Sequence, residues 1–145
     1  MSFAAVGETA MLRVLSGAAH NFDAGLNQAA HAVGQMLTRR VQIGITQGPH
    51  SGRTYPGKNQ SSAPGEYPAN QSGQLLGSID YDVESRALRV GSHGAFNKGY
   101  DYAVGLHEGT SKMAPRPYLT KAVEENIGAI ETTLGRVTWQ LILGA

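Results

Sequence analysis

The sequence has no cysteine, few charged residues and no long apolar run. Without cysteine, the chain cannot form disulfide bonds, thiolate zinc sites or a cysteine nucleophile. None of its apolar runs approaches the roughly 18 residues of a membrane span. Its first residues also lack the basic start and apolar block of a signal peptide. These absences predict a protein that is made in the cytoplasm.

Charged residues make up only 16% of the 145 residues, against roughly 25% in typical soluble domains. This low charge density indicates that partner molecules cover part of the surface. The net charge of +1 provides no overall attraction to nucleic acid or to a membrane surface. The length fits a single domain that spans residues 1–145.

The N-terminal part of the chain is predicted to be helical. Residues 22–44 carry apolar side chains at three- and four-residue steps, which is typical of an amphipathic helix. Asn21 can cap the start of this long helix and Gly44 can end it. Residues 8–15 fit a shorter helix, and Gly17 is expected to separate the two.

Residues 46–74 are predicted to form one long extended loop. Four prolines and five glycines make regular structure improbable there. A loop of this length in a compact domain is usually functional or disordered. We expect it to become ordered against a neighbouring subunit on assembly. Its candidate interface residues are Arg53, Tyr55, Lys58, Glu66 and Tyr67.

A small antiparallel sheet is predicted next. Residues 79–84 alternate apolar and acidic side chains, the pattern of a strand with one buried face. Residues 88–90 form the return strand, with a turn near Ser85-Arg86. Arg86 and Arg89 would then lie opposite the acidic face, where each cross-strand ion pair contributes about 0.2–1 kcal/mol.

The segment after the hairpin is ambiguous, whereas the final helix is well defined. Residues 102–106 fit either a third strand or one helical turn. A long helix is expected from Pro117, a residue type that suits the first helical position, and we expect it to pack on the sheet. Its apolar seam comprises Leu119, Val123, Ile127, Ile130, Leu134, Val137 and Leu141.

Two large apolar residues lie off this seam. Trp139 and Ile142 are about 200° and 140° around the helix from Val137. Large apolar side chains on the solvent side of a helix often mark a contact surface, so both are candidate interface residues. Covering of this helix end by the chain's own N-terminal segment explains them equally well.

Residues 52–59 nearly match the phosphate-binding pattern G-x-x-x-x-G-K-[ST]. That chemistry needs a hydroxyl group after the lysine to hold Mg²⁺, and a helix N-terminus whose N–H groups bind phosphate. Asn59 stands in place of the hydroxyl residue, and Pro64-Gly65 follow too soon for a long helix. The match is therefore interpreted as a coincidence of a Gly-rich loop.

Histidine and carboxylate side chains offer two other candidate sites. His107-Glu108 begins like the zinc-protease pattern H-E-x-x-H, but Ser111 occupies the position of the second histidine. The acidic residues of 79–84 fit a solvated strand face paired with arginines better than a metal or acid–base cluster. We therefore predict no catalytic residue, no cofactor, no metal and no enzymatic activity.

Three motif segments follow one another between residues 62 and 126, nearly half of the chain. They read SAPGEYPA then SGQLLGSI (62–79), YA then HEGTSKM (102–113), and PRPYLTKA (115–122). Together they resemble the small tail-completion, or neck, family of long-tailed bacteriophages related to lambda. Each segment alone is weak evidence for this family, whereas the three segments in this order are specific to it.

The chain departs from the family pattern at three places. His107 stands where the family usually has a hydrophobic residue, and Gly109 follows Glu108 directly, without the usual aromatic residue. Tyr118 replaces a phenylalanine. These departures concern the local packing around the second and third segments.

The resemblance implies a virion structural protein without enzymatic activity. The family forms a homo-oligomeric ring, here expected to be a hexamer, in the neck beneath the portal complex. Its expected partners are other neck proteins and the tail terminator or tail tube. Genomic DNA would pass through the lumen without sequence-specific binding. The protein would be made in the host bacterial cytoplasm and end in the virion.

Within the motif segments, five residues are expected to set the backbone geometry. Gly109 allows a positive φ or a close backbone approach, and Thr110 or Ser111 can cap the turn that follows. Pro115 and Pro117 stiffen the approach to the last helix. Glu108 is expected to accept backbone N–H groups as a structural carboxylate.

Two alternatives remain. Phage neck rings share a mixed α+β build, so the chain could be the tail terminator ring. In a different class, it could be a small nucleic-acid-binding or regulatory module, because residues 39–58 and 112–121 carry basic clusters without intervening acidic residues. Such clusters can meet phosphate or the acidic strand of a neighbour, and the near-neutral chain favours the neighbour.

Overall fold

A computed structural model describes the backbone of residues 3–84 and 87–142, and the side chains of 22–84, 87–137, 139 and 140. The fold mixes helix and sheet, as predicted. It has a long N-terminal helix, a small two-stranded antiparallel sheet and a helical C-terminal part. No helix of the described residues is long and apolar enough to cross a membrane.

The N-terminal part is one continuous helix, α1 (Phe3–Gln47). The predicted break at Gly17 is wrong, because one interior glycine costs only about 1 kcal/mol relative to alanine. The N-cap at Asn21 is also wrong, since helical residues on both sides already satisfy the backbone there. The helix continues past Gly44, and Gly48 donates its N–H to the Gly44 carbonyl at 3.0 Å.

Gly44 has a packing role instead of ending the helix. A Cβ atom at this position would lie 2.5 Å from atoms of the Tyr67 ring. The missing side chain therefore makes room for an aromatic ring directly against α1. Glycine is tolerated in the helix because the ring that it admits belongs to the core cluster.

One face of α1 forms the base of the core. The buried residues of this face recur every four positions: Ala29, Val33, Leu37, Val41 and Ile45. The C-terminal end of this face packs against buried residues from the rest of the chain: Tyr67, Leu75, Ile79, Ala95, Ala103, Tyr118 and Ala122. Phe22, which the sequence pattern placed on the apolar face, is 40% exposed.

The predicted hairpin is confirmed. After a single helical turn, α2 (Gln74–Ser78), strand β1 (Ile79–Glu84) pairs antiparallel with β2 (Ala87–Ser92). Arg89 Nη1 lies 3.4 Å from Glu84 Oε2, with both side chains largely exposed. The turn at residues 85–86, and with it the predicted contact of Arg86, lies outside the described residues.

The ambiguous segment 102–106 is helical, so the third-strand alternative is wrong. It lies in α3 (Tyr102–Glu108), which follows a short ribbon of β3 (Phe96–Asn97) and β4 (Tyr100–Asp101). The Asp101 carboxylate caps this helix by accepting the Ala103 N–H at 3.0 Å. It also accepts the Ala95 N–H at 3.0 Å, so one aspartate joins the ribbon to the helix.

The C-terminal part is two helices, α4 (Tyr118–Glu125) and α5 (Ile127–Ile142), instead of one. They meet at Asn126, whose side-chain amide donates to the Ala122 carbonyl at 2.8 Å. Asparagine side chains compete for backbone groups and so disfavour helix interiors. Pro117 precedes α4 by one residue, and its carbonyl accepts the Lys121 N–H at 2.9 Å.

The predicted packing of the C-terminal helix on the sheet is wrong. Both α4 and α5 pack mainly along α1, and the hairpin packs on α1 as well. The helix α1 is therefore the layer that the other elements share. As a result the apolar seam of α5 is only partly covered, and Ile127 is 55% exposed.

Gly44→Ala is expected to lower the free energy of unfolding by about 1–3 kcal/mol, because the added methyl group overlaps the Tyr67 ring. The matched control is Gly135→Ala in α5, where a Cβ atom meets nothing within 4 Å. It is expected to raise stability by up to about 1 kcal/mol. Urea unfolding measures both changes. Equal stabilisation by the two substitutions would contradict the packing role of Gly44.

Candidate functional site

The three motif segments, which are separate in sequence, meet in one place. The Gly65 N–H donates to the Pro115 carbonyl at 3.3 Å, which joins the first segment to the third. The Arg116 N–H donates to the Leu106 carbonyl at 2.7 Å, which joins the third segment to α3 in the second. We call this set of contacts among residues 62–69, 102–113 and 115–122 the motif junction.

Arg116 is the strongest link in the motif junction. Its Nε donates to Ser62 Oγ at 2.7 Å, and its Nη2 donates to the Ser62 carbonyl at 2.7 Å. Nη1 donates to the Ala114 carbonyl at 3.2 Å. Ser62 is buried, and charge-assisted hydrogen bonds to buried acceptors are among the stronger ones. The guanidinium therefore fixes the start of the first segment against the approach to α4.

Lys121 and Tyr67 form a second link. Lys121 Nζ donates to the Gly65 carbonyl at 3.0 Å and lies 5.3 Å from the centroid of the Tyr67 ring. The Tyr67 hydroxyl donates to Glu125 Oε2 at 2.8 Å. Burial, reinforced by the carboxylate of Glu125, raises the pKa of Tyr67. Tyr67 is only 6% exposed, so it is a core residue and presents little surface to a neighbouring subunit.

Glu66 closes the long loop on itself. Its carboxylate accepts the Ser51 hydroxyl at 2.5 Å, the Ser51 N–H at 3.0 Å and the Ala63 N–H at 2.7 Å. These hydrogen bonds, those from Ser51 first, lower the pKa of Glu66 to about 2. A candidate interface carboxylate is thus engaged within its own chain.

The expected role of Glu108 as a structural carboxylate is wrong, and Glu66 has that role. Glu108 is exposed at the end of α3, and its side chain accepts no hydrogen bond from the part of the chain that the structure describes. The sequence offered a signal for Glu66, since Ser-Ala-Pro-Gly-Glu places a carboxylate three residues after the N–H of Ala63, across a turn.

The predictions for Gly109 and Thr110 are confirmed. Gly109 has a φ of 81°, and a Cβ atom there would lie 2.9 Å from the Met113 carbonyl oxygen. Thr110 and Met113 exchange backbone hydrogen bonds of 2.8 and 3.2 Å across a tight turn. Thr110 Oγ1 accepts the Lys112 N–H at 3.3 Å. This turn leads through Pro115 and Pro117 into α4.

Residues 52–61 form a largely exposed loop tip whose two ends are joined by backbone hydrogen bonds. Gly52 donates to the Ser61 carbonyl at 2.8 Å, and Ser61 donates to the Arg53 carbonyl at 3.1 Å. Contact with a neighbour is therefore not required for this path of the chain. Arg53, Tyr55 and Lys58 are all exposed on the tip, which keeps them as candidate interface residues.

An open groove of about 800 Å³ runs between the loop tip and the turn at 110–116. Its lining includes the cationic residues Lys58, Lys112 and Arg116, and no acidic residue belongs to it. Arg116 directs three of its five N–H donors at Ser62 and Ala114. Lys58 and Lys112 are the exposed cations of this groove.

The acidic face of β1 is partly hydrogen-bonded within the chain. Asp80 Oδ2 lies 3.0 Å from His93 Nε2, and Asp80 Oδ1 accepts the Tyr81 N–H at 2.8 Å. These two hydrogen bonds, that from His93 first, lower the pKa of Asp80. Within the described ranges, no three His, Cys, Asp or Glu side chains converge as a metal site would require.

Trp139 remains a surface residue. It is 62% exposed near the end of α5, so it stays a candidate interface residue. The side chain of Ile142, the other candidate on this helix, lies outside the described residues.

The comparisons with known proteins find no match. No family model, no curated protein and no solved structure matches the chain.

Lowering the pH from about 4.5 to about 2 is expected to destabilise the protein through Glu66. Because the folded state depresses this pKa from 4.5 to about 2, the stabilisation is present above the unfolded pKa and is lost as the pH falls through that window. Glu66→Gln should flatten this part of a pH series of urea unfolding. The matched control, Glu108→Gln, should keep the slope of the original protein. If the free energy of unfolding depended on pH identically in all three proteins, Glu66 would not be the cause of the acid destabilisation.

Arg116→Ala is expected to lower the free energy of unfolding by about 1.5–3 kcal/mol, because buried Ser62 loses its charged donors. Arg116→Lys should recover only part of the loss, since an ammonium group lacks the planar fork. Lys112→Ala, an exposed cation of the same groove, should change stability by less than about 0.5 kcal/mol. Equal effects of the two alanine substitutions in urea unfolding would refute the role of Arg116.

Proposed function

We propose that this chain is a virion structural protein of a tailed bacteriophage. It is a tail-completion, or neck, subunit that forms a ring at the head–tail interface, and genomic DNA passes through the lumen. The observation that carries the proposal is the motif junction. Three segments that resemble one family in sequence also form one hydrogen-bonded unit in space, as residues with a shared structural role would.

The use of polar groups in the motif junction supports a structural role without enzymatic activity. Arg116, Lys121 and Glu66 each direct their charges at backbone or hydroxyl groups of the same chain. Such contacts fix the angle at which α4 leaves the rest of the fold. A ring subunit needs this kind of fixed geometry, because a small angular error is repeated at every interface around the ring.

The departure from the family pattern at His107 is compatible with the proposal. The imidazole packs edge-on against the Tyr118 ring, with centroids 5.3 Å apart and planes at 86°. It therefore occupies the space of an apolar side chain against the core. Burial raises the pKa of Tyr118 to about 12, as expected for a phenol that packs in the core.

In this proposal, the exposed parts of the chain make the virion contacts. The loop tip at 52–61 and the region of Trp139 would meet the next subunit, other neck proteins, or the tail terminator or tail tube. The exposed side chains of the loop tip would become ordered only on assembly. The protein would be made in the host cytoplasm and assembled into a hexameric ring.

Two other functions compete with this one. A tail terminator ring has the same mixed α+β architecture and would use the same exposed surfaces, the loop tip and the region of Trp139. A nucleic-acid-binding or regulatory module is favoured by one observation, the groove that contains Lys58 and Lys112 and no acidic residue. Two available lysines would contribute little to phosphate binding, since the affinity grows with the number of phosphates neutralised.

Cryo-electron microscopy of the phage particle that contains this chain is the direct test. Density for the chain between the portal and the tail is expected. Density at the end of the tail tube would support the terminator alternative, and absence from the particle would overturn a virion role. Duplex DNA binding with a steep salt dependence would then favour the nucleic-acid module.

Deletion of residues 52–61 is expected to leave a folded monomer but to block ring assembly or head–tail joining. The fold should survive because the two ends of the loop tip lie side by side, as the hydrogen bond between Gly52 and Ser61 shows, so a direct Ser51–Ser62 link needs little rearrangement. Thermal unfolding tests whether the variant folds. Electron micrographs of lysates test whether heads and tails are joined. Normal numbers of infectious particles from the deletion would refute this role of the loop tip.

A further inference from the structure

An apolar groove lies between the elements that pack on α1. Its volume is about 530 Å³. It exists because the hairpin and the C-terminal helices each pack on α1 and hardly on one another. Apolar side chains of α1, β2, α4 and α5 line it, and His107 and Thr120 are its polar lining residues. An open apolar groove of this kind is a docking surface for an apolar side chain.

Trp139 is the most exposed large apolar residue described in the chain, but it cannot reach this groove in its own molecule. Ile130 of α5 lines the groove, and Trp139 follows it by nine residues. At about 100° and 1.5 Å per residue, Trp139 points to the opposite side of the helix and lies about 14 Å further along it. The exposed indole and the groove therefore face opposite ways.

We propose that Trp139 of one copy inserts into the α1–β2–α4–α5 groove of the next copy. This contact rests on the proposed ring and identifies the two surfaces that meet in it. An indole and a groove on opposite faces of one helix make a head-to-tail interface, in which one patch meets a different patch. Repetition of such an interface closes into a ring when the rotation allows it.

The chemistry of the groove suits an indole. A tryptophan side chain needs an apolar site for its ring and an acceptor for its N–H group. His107 Nε2 is buried without a hydrogen-bond partner among the described residues, although such groups are normally paired. His107 lines the groove, and in the proposed contact its imidazole is the side-chain group of the groove that accepts the indole N–H.

The size of the contact explains why a ring is needed. One tryptophan buries roughly 150–250 Å², whereas a stable pair of proteins buries about 800 Å² on each partner. A pair joined by Trp139 alone would therefore be weak. In a closed ring every copy supplies one indole and one groove, so each subunit is held on both sides.

The intrinsic fluorescence of the full chain tests this contact, because Trp139 is its only tryptophan. The emission of the dilute protein should be that of an exposed indole. It should shift to the blue as the concentration rises to about 1 mM, where even a weak contact is populated. Val123→Glu places a charge in the groove and should abolish the shift. Val104→Glu, at an exposed α3 residue outside this groove, should retain it.

Cross-linking tests the same contact without relying on affinity. The chain has no cysteine, so Thr120→Cys at the groove and Gln140→Cys beside Trp139 can be joined only by the engineered thiols. A mixture of the two single variants treated with a bismaleimide should yield a dimer. The double variant should yield a ladder that ends at the ring size. Trp139→Ala in the Gln140→Cys chain should remove the cross-link.

Absence of both the blue shift and the cross-link would overturn the proposed contact. The proposed function is judged separately, by the position of the chain in the particle. A ring at the head–tail junction in which Trp139 stays exposed would contradict the proposed contact but support the neck function. Absence of the chain from the particle would contradict the neck function, whereas a groove-dependent blue shift would still support the contact.

Discussion

The structure depends on burial of one face of α1. Val33, Leu37, Val41 and Ile45 recur every four residues on that face and are almost completely buried. A two-stranded hairpin is marginal in water unless it packs against another element, and here α1 is that element. The helices α4 and α5 use the same support. Loss of this face would therefore separate the sheet from the C-terminal helices, which have little other contact with it.

The sequence predicted the types of element well, because periodicity reports burial directly. The alternation in residues 79–84 corresponds to β1, and the three- and four-residue steps of 22–44 lie within α1. The boundaries were less predictable, because they depend on partners distant in sequence. Gly44 read as a helix terminator, whereas its role is to admit the ring of Tyr67. Only the tertiary structure brings these two residues together.

The motif junction shows the same division between local and long-range information. Gly109 and Thr110 were predictable, because a turn of four residues is determined by its own backbone. The partners of Arg116 were not, since Ser62 lies 54 positions away. The sequence placed Arg116 in a basic cluster, a candidate for phosphate or a neighbour, and in the fold its guanidinium donates to Ser62 and Ala114 of the same chain. Basic residues in a sequence can therefore overstate the number of charged donors that a surface offers a ligand.

The arrangement around α1 also leads to an expectation about assembly. Because one helix supports two groups of elements that scarcely meet, an apolar groove stays open between them. In the single chain, α5 carries its exposed indole on the side away from this groove. In the proposed contact, the indole of the next copy fills it. The features that leave the single chain incompletely packed are thus the same features that suit a repeating, head-to-tail assembly, and the low charge density of the sequence is consistent with surface that is covered in use.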